Sequence, residues 1–156
     1  MPNRINHVKV VCPHPELVNA FLTQVCEIPG GWPLGANSKT VTEEQPLGEG
    51  GELSMDEFHR RRTGGAPPPE GAGGGFIAGD PNSRQFQVFP AQQSDFWAVC
   101  ISTRDIEGVY ERAQQRRIPC TPVTVADWNE RDNIRNFFCL VDDLMFEVIR
   151  VEPKNP

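Results

Sequence analysis

The side chains best suited to chemistry in this 156-residue chain are a carboxylate inside an apolar strand, Glu147, and a few polar residues upstream, His7, Gln87 and His59. Glu147 lies in the stretch from Asn136 to Val151, NFFCLVDDLMFEVIRV, where two apolar runs flank Asp142-Asp143. That pattern predicts a hairpin with an acidic turn. Period-two geometry puts Glu147 on the face that also carries Met145, Ile149 and Val151. An ionised side chain among apolar neighbours is costly unless it is paired, hydrogen-bonded or bound to a metal. The plainer reading is a short strand, or a face that is wet at that level.

Other candidates are more local. His59 sits in Glu57-Phe58-His59-Arg60-Arg61-Arg62, where an imidazole titrating near neutrality could serve as acid or base. The arginines, Arg60 foremost, could hold a carboxylate or phosphate; a solvated charged turn accounts for the same run. Trp32, Trp97 and Trp128 are candidate pocket linings, although alternation points Trp97 away from the face of Ala98. His14, between two prolines, reads as an exposed turn residue. The five cysteines, Cys12, Cys26, Cys100, Cys120 and Cys139, are odd in number and form no CxxC. They read as structural thiols, with Cys100 and Cys139 acting as small hydrophobes inside strands.

The elements that would position these residues occur twice. Phe76 to Phe89, FIAGDPNSRQFQVF, repeats the plan of the last hairpin, with Gln87 at the place of Glu147. Ile5 to Val11 likewise matches Phe96 to Ser102, and a helical pattern follows each. The first helix is predicted over Pro15 to Cys26, with Leu17, Val18, Phe21, Leu22 and Val25 on one stripe. The second runs from an Asp105 N-cap to about Arg117, with Ile106, Val109, Tyr110 and Ala113 inward. Thr121 to Ala126 reads as a strand, Lys39 to Thr42 as a weaker strand candidate, and Gly50 to Met55 as the start of another strand or a loop. Met55 to Arg62 is open between strand and helical turn. The first half is longer, and much of its excess falls in or near the Gly/Pro-rich loop at 63–75, TGGAPPPEGAGGG. The expected fold is α+β, with two copies of strand, helix, three strands.

This pattern resembles the vicinal oxygen chelate superfamily, the group of glyoxalase I, methylmalonyl-CoA epimerase, extradiol dioxygenases and the bleomycin-resistance proteins. The resemblance spans Ile5 to Val151 and is carried by the NHVKV opening, the second-half helix and the closing FEVIRV strand. It implies a single glyoxalase-like domain of two tandem βαβββ modules, about 4–90 and 95–152, each bent into a half-open cup. It also implies metal ligands on the first and last strands of each module, which by position are His7, Gln87, Ala98 and Glu147. His7, Gln87 and Glu147 suit a divalent Fe, Co, Ni, Mn or Zn ion. Ala98 departs from the pattern, because alanine cannot ligate. His59 could substitute for it, water could complete a three-ligand site, or the cup could work without metal.

Three functions follow. One is a metal-assisted lyase or isomerase acting on a small oxygenated or carbonyl substrate. Glu147 or His59 would transfer the proton, and Ala98, Arg60 and Trp128 would line the substrate's place. Another is a metal-free protein that sequesters an apolar or aromatic small molecule. The third is metal-free acid/base catalysis in the same cavity. The resemblance further implies a homodimer. The net charge of −6 argues against a nucleic-acid partner. No run reaches the roughly 18 apolar residues of a membrane span, and the N-terminus lacks a signal-peptide core, so a cytoplasmic location is expected.

Overall fold

Two apolar runs on either side of a two-residue turn build the longest strand pairing among the described residues. A computed structural model describes residues 9–32, 36–57, 76–79, 85–88 and 98–155. In it the elements are α1 (Pro15–Ala20), β1 (Phe76–Gly79), β2 (Gln85–Val88), β3 (Val99–Ser102), α2 (Ile106–Gln115), β4 (Thr124–Asp127), β5 (Asp132–Val141) and β6 (Leu144–Pro153). Strands β5 and β6 form the predicted hairpin, longer than 136–151, with Phe138 opposite Glu147 and Val141 opposite Leu144. Asp142 and Asp143 form its two-residue turn with φ of 51° and 61°. Two positive φ values make a type I′ turn, whose twist matches that of the strands.

Strand β3 pairs in parallel with β6, and β4 pairs antiparallel with β5. The sheet is therefore mixed and open, in the order β3-β6-β5-β4. A parallel pair needs a crossover, and α2 supplies it. Asp105 caps this helix by accepting a hydrogen bond from Gly108 N at 3.1 Å, as the sequence predicts. The second half is thus one strand, one helix and three strands. Strand β4 begins three residues later than predicted, because Pro122 has no N–H to donate to a ladder. Cys120 instead makes isolated bridges to Glu52 and Cys139.

One face of the sheet carries the core. Phe137, Cys139 and Val141 of β5 and Phe146 and Val148 of β6 are buried against Ile106, Val109 and Ala113 of α2 and against Phe21 and Val25. Phe21 meets Phe146 at a tilt of 54° with ring centroids 4.8 Å apart, and Tyr110 meets Phe137 edge-on at 5.1 Å. Burying each of the three phenylalanines is worth roughly 1.5–3 kcal/mol. The inward stripes of both helices are as the sequence predicts.

The first helix differs in one respect. After α1 the chain widens into a π-helical turn, Phe21–Val25, closed by Cys26 N donating to Phe21 O at 2.9 Å. That turn keeps Phe21 and Val25 buried, with Leu17, Val18 and Leu22 packed around them. Residues 9–11 are not in a strand, and Lys39 to Thr42 is a loop. Its carbonyls serve other ends: Val41 O accepts from Gln24 and Thr42 O from Arg116, both at 2.9 Å. Residues 55–57 take the helical alternative. Strands β1 and β2 pair antiparallel, with Ile77 opposite Gln87. The segment 47–53 ties the first half to the second through Leu47 N to Arg116 O, Gly50 N to Arg117 O and Leu53 N to Cys120 O. Among the described residues, no helix is long and apolar enough to cross a membrane.

Candidate functional site

The second face of the sheet carries Glu147. Alternation and register place it with Met145, Ile149 and Val151 of β6, with Ile134, Asn136, Phe138 and Leu140 of β5, with Cys100 and Ser102 of β3, and with Thr124 and Ala126 of β4. This face is unevenly covered. At one end Leu53, Leu140 and Met145 are buried together, with Ala98 and Phe138 packed against them. At the other end Val151 is 49% exposed. Glu147 sits between these regions and is half-buried.

Two neighbours satisfy it. Asn136 Nδ2 donates to Glu147 Oε1 at 2.9 Å. Cys100 stands directly beside Glu147 in the parallel register, where its thiol, a weak donor, favours the charged carboxylate. Burial raises the Glu147 pKa above the ordinary carboxylate range, and these two donors only partly offset it. The same environment acts on the thiol: burial first, then the adjacent carboxylate, push Cys100 up to about 12. Cys100 keeps solvent access as a residue, while its sulfur is turned onto Glu147. It is a neutral donor to the carboxylate rather than a ready nucleophile, since the thiolate is the reactive form.

The sequence-predicted residues fall in different places. Glu147 lies on the predicted face. Ala98 is on the same side, two residues before Cys100, with its methyl in the Leu53–Leu140–Met145 cluster. Register thus puts Cys100, not residue 98, beside Glu147. Gln87 lies in β2, opposite Ile77. Trp128 is 53% exposed in the β4–β5 connection, where its backbone N–H donates to Asp132 O at 3.1 Å. It is four residues past Thr124 and not in contact with Glu147. His7, His59, Arg60, Trp97 and the 63–75 loop lie outside the described residues. Among the described residues, no three His, Cys, Asp or Glu side chains converge as metal ligands.

Asn136 and Cys100 are absent from the predicted set, for different reasons. Asn136 was within reach of the sequence. A two-residue turn at Asp142-Asp143 puts Phe138 opposite Glu147, and alternation then puts Asn136 on the same face. Cys100 was not, because nothing local sets the register of a parallel pair.

A second polar cluster joins the hairpin turn to the start of α1. His14 donates its backbone N–H to Asp142 Oδ2, and its Nδ1 lies 2.9 Å from Asp142 Oδ1. His14 is exposed, as predicted, but it is not an idle turn residue. Burial alone would raise the Asp142 carboxyl; the hydrogen bonds from the His14 ring and backbone, and from the Cys12 thiol, hold it below the usual range. A polar cleft of about 330 Å³ lies between Gln24, Glu43, Arg112 and Arg116. Arg116, 7% exposed, spends its donors there on Gln45 O, Gln24 Oε1 and Thr42 O, so it pins a loop.

The chain matches no family model, no curated protein and no solved structure.

Proposed function

We propose that the chain is a lyase or isomerase acting on a small oxygenated or carbonyl substrate, with Glu147 moving a proton to or from a carbon beside the carbonyl. The observation that carries this reading is the state of Glu147. It is a carboxylate on a partly open sheet face, with its pKa raised by burial and its position set by Asn136 and Cys100. A raised carboxyl pKa brings a general acid or base closer to working pH. Ala98 and Phe138, partly buried and packed on the Leu53–Leu140–Met145 cluster, offer an apolar floor for the substrate's carbon skeleton. They also keep water from one side of the carboxylate, which strengthens any charge interaction made there. His59 is the second candidate for the proton's return, and Arg60 and Trp128 for contacts to the remainder of the substrate. A tandem glyoxalase-like arrangement, with the first half supplying the opposite wall, belongs to the same reading, as do a homodimer and a cytoplasmic location.

The resemblance brings a divalent metal with it. Glu147 fits such an ion in chemical kind: it is a carboxylate whose burial makes its charge costly, and a cation would relieve that cost. His7 and Gln87 would complete the donor set, and Ala98 contributes no donor. When bound, the ion would supply Lewis-acid stabilisation of an enolate-like oxyanion. The chain's own part is to hold Glu147 in place, present the apolar floor and transfer the proton at the carboxylate oxygen.

The test is solvent exchange. In D2O, the protein as purified, without chelator or His tag, is expected to catalyse deuterium uptake next to the carbonyl of hydroxyacetone or propionyl-CoA, read by proton NMR. Glu147→Gln should lose this activity by at least about 100-fold. Exchange unchanged in Glu147→Gln, or no exchange of either probe above buffer, would sink the proposal. A second reading, sequestration of an apolar molecule, draws on the same Ala98-bearing floor. It predicts binding of an aromatic probe such as 1-naphthol with equal affinity in the native protein and in Glu147→Gln.

A further inference from the structure

Resting on the assignment of Glu147 as the proton-transfer group, we infer that Thr124 and Asn136 are positioning residues. They form an oriented donor line across the sheet that fixes the Glu147 carboxylate for the substrate. One residue from each of the four strands contributes to the polar line: Thr124 from β4, Asn136 from β5, Glu147 from β6 and Cys100 from β3. Thr124 stands directly opposite Asn136, and its hydroxyl donates to Asn136 Oδ1 at 3.0 Å. Asn136 pairs with Ile149 and so lies diagonal to Glu147, which its Nδ2 reaches at 2.9 Å.

The direction of the line follows from which atoms can donate. An ionised carboxylate only accepts, so Asn136 must turn its NH2 toward Glu147. Its carbonyl then faces β4, where only a donor satisfies it, and the Thr124 hydroxyl is that donor. Thr124 thereby settles the amide orientation of Asn136, and Asn136 settles the rotamer of Glu147 from one side, with Cys100 beside it in the register of β3. The line's neighbours on this face are Phe138, Leu140 and Met145 on one side and Ile134 and Ile149 on the other, with Ser102, beside Ile149, the polar exception. Apolar residues would pack this face without any need for mutual satisfaction. Thr124 itself is exposed on an edge strand, a place where a hydroxyl adds little to packing. What the three polar residues provide together is a carboxylate with one fixed orientation, and such preorganisation is what a proton transfer needs.

The experiment uses the full chain, labelled with 15N and 13C, and follows two signals: the side-chain NH2 of Asn136, identified by its loss in Asn136→Leu, and the carboxyl carbon of Glu147. Thr124→Val, which matches threonine in shape and lacks the hydroxyl, should move both signals while leaving the other backbone amides in place. Residue 124 does not touch Glu147, so a shift of its carboxyl carbon reports transmission through Asn136. Thr124→Ser should restore both. In the exchange assay Thr124→Val is expected to lower kcat on the order of tenfold with KM unchanged. If Thr124→Val leaves the Asn136 and Glu147 signals and kcat where they are, the positioning role is overturned. Glu147→Gln separates this failure from that of the functional reading: full exchange activity in that variant removes the reaction the line is meant to serve, whatever Thr124 does.

Discussion

Glu147 is the residue at which folding and chemistry pull against one another. Its carboxyl pKa is raised in the fold, so the folded chain holds this proton more tightly than the unfolded one. The charge therefore costs stability, and the cost sets in as pH rises from the unfolded value, about 4.3, through the raised folded value. In chelator-treated protein, Glu147→Gln keeps an oxygen acceptor for Asn136 and removes the charge. It is expected to be more stable than the native chain at neutral pH by on the order of 1 kcal/mol. That advantage should disappear as pH falls below about 4, which urea unfolding across pH would show. A native chain more stable than the variant at neutral pH would mean that Asn136 and Cys100 more than compensate for burial.

At the scale of elements, the β5–β6 hairpin was the most legible feature, because alternation, length and a two-residue polar turn all agree. Its turn also separates two aspartates that look equivalent in the sequence. Both adopt positive φ, but Asp142 is engaged by His14 and Cys12 while Asp143 is exposed. Asp143→Gly relieves left-handed strain of about 1–2 kcal/mol against an entropic cost of about 0.5–1 kcal/mol, so a gain of roughly 0.5 kcal/mol is expected. Asp142→Gly relieves the same strain and severs the link to His14, where each lost hydrogen bond to a charged group is worth about 1.5–3 kcal/mol. Thermal unfolding should therefore rise for the first and fall for the second; the reverse order would deny the His14–Asp142 pair any role in holding α1 to the hairpin. The weaker strand candidate Lys39 to Thr42 failed to a force that is not local, giving up its carbonyls to Gln24 and Arg116. Pro122, inside the predicted strand, shortened β4 by a local effect.

At the scale of the molecule, the ligand set proposed for a divalent ion draws on both halves, so metal content tests the two halves together. Elemental analysis of protein purified without chelator or His tag is expected to find about one transition-metal equivalent. His7→Ala and Glu147→Gln should each lose it, with the far-UV spectrum unchanged. Equal metal in both variants would remove the assignment of these ligands, and the acid/base reading of Glu147 would then stand without the ion.

The sequence by itself determined what short-range geometry can dictate. It set the α+β class of the second half, the capped helix α2, the inward stripes of both helices and the face of the last strand that carries Glu147. These depend on periods of 2 and 3.6 and on turn chemistry, which a few consecutive residues encode. Only the tertiary structure decided that β3 lies parallel to β6 with Cys100 beside Glu147, that His14 closes on Asp142, and that Thr124 of β4 stands opposite Asn136. Each of these joins residues separated along the chain. Their meeting depends on how the core packs Phe21, Phe137 and Phe146 and sets the strand order, which no local pattern records.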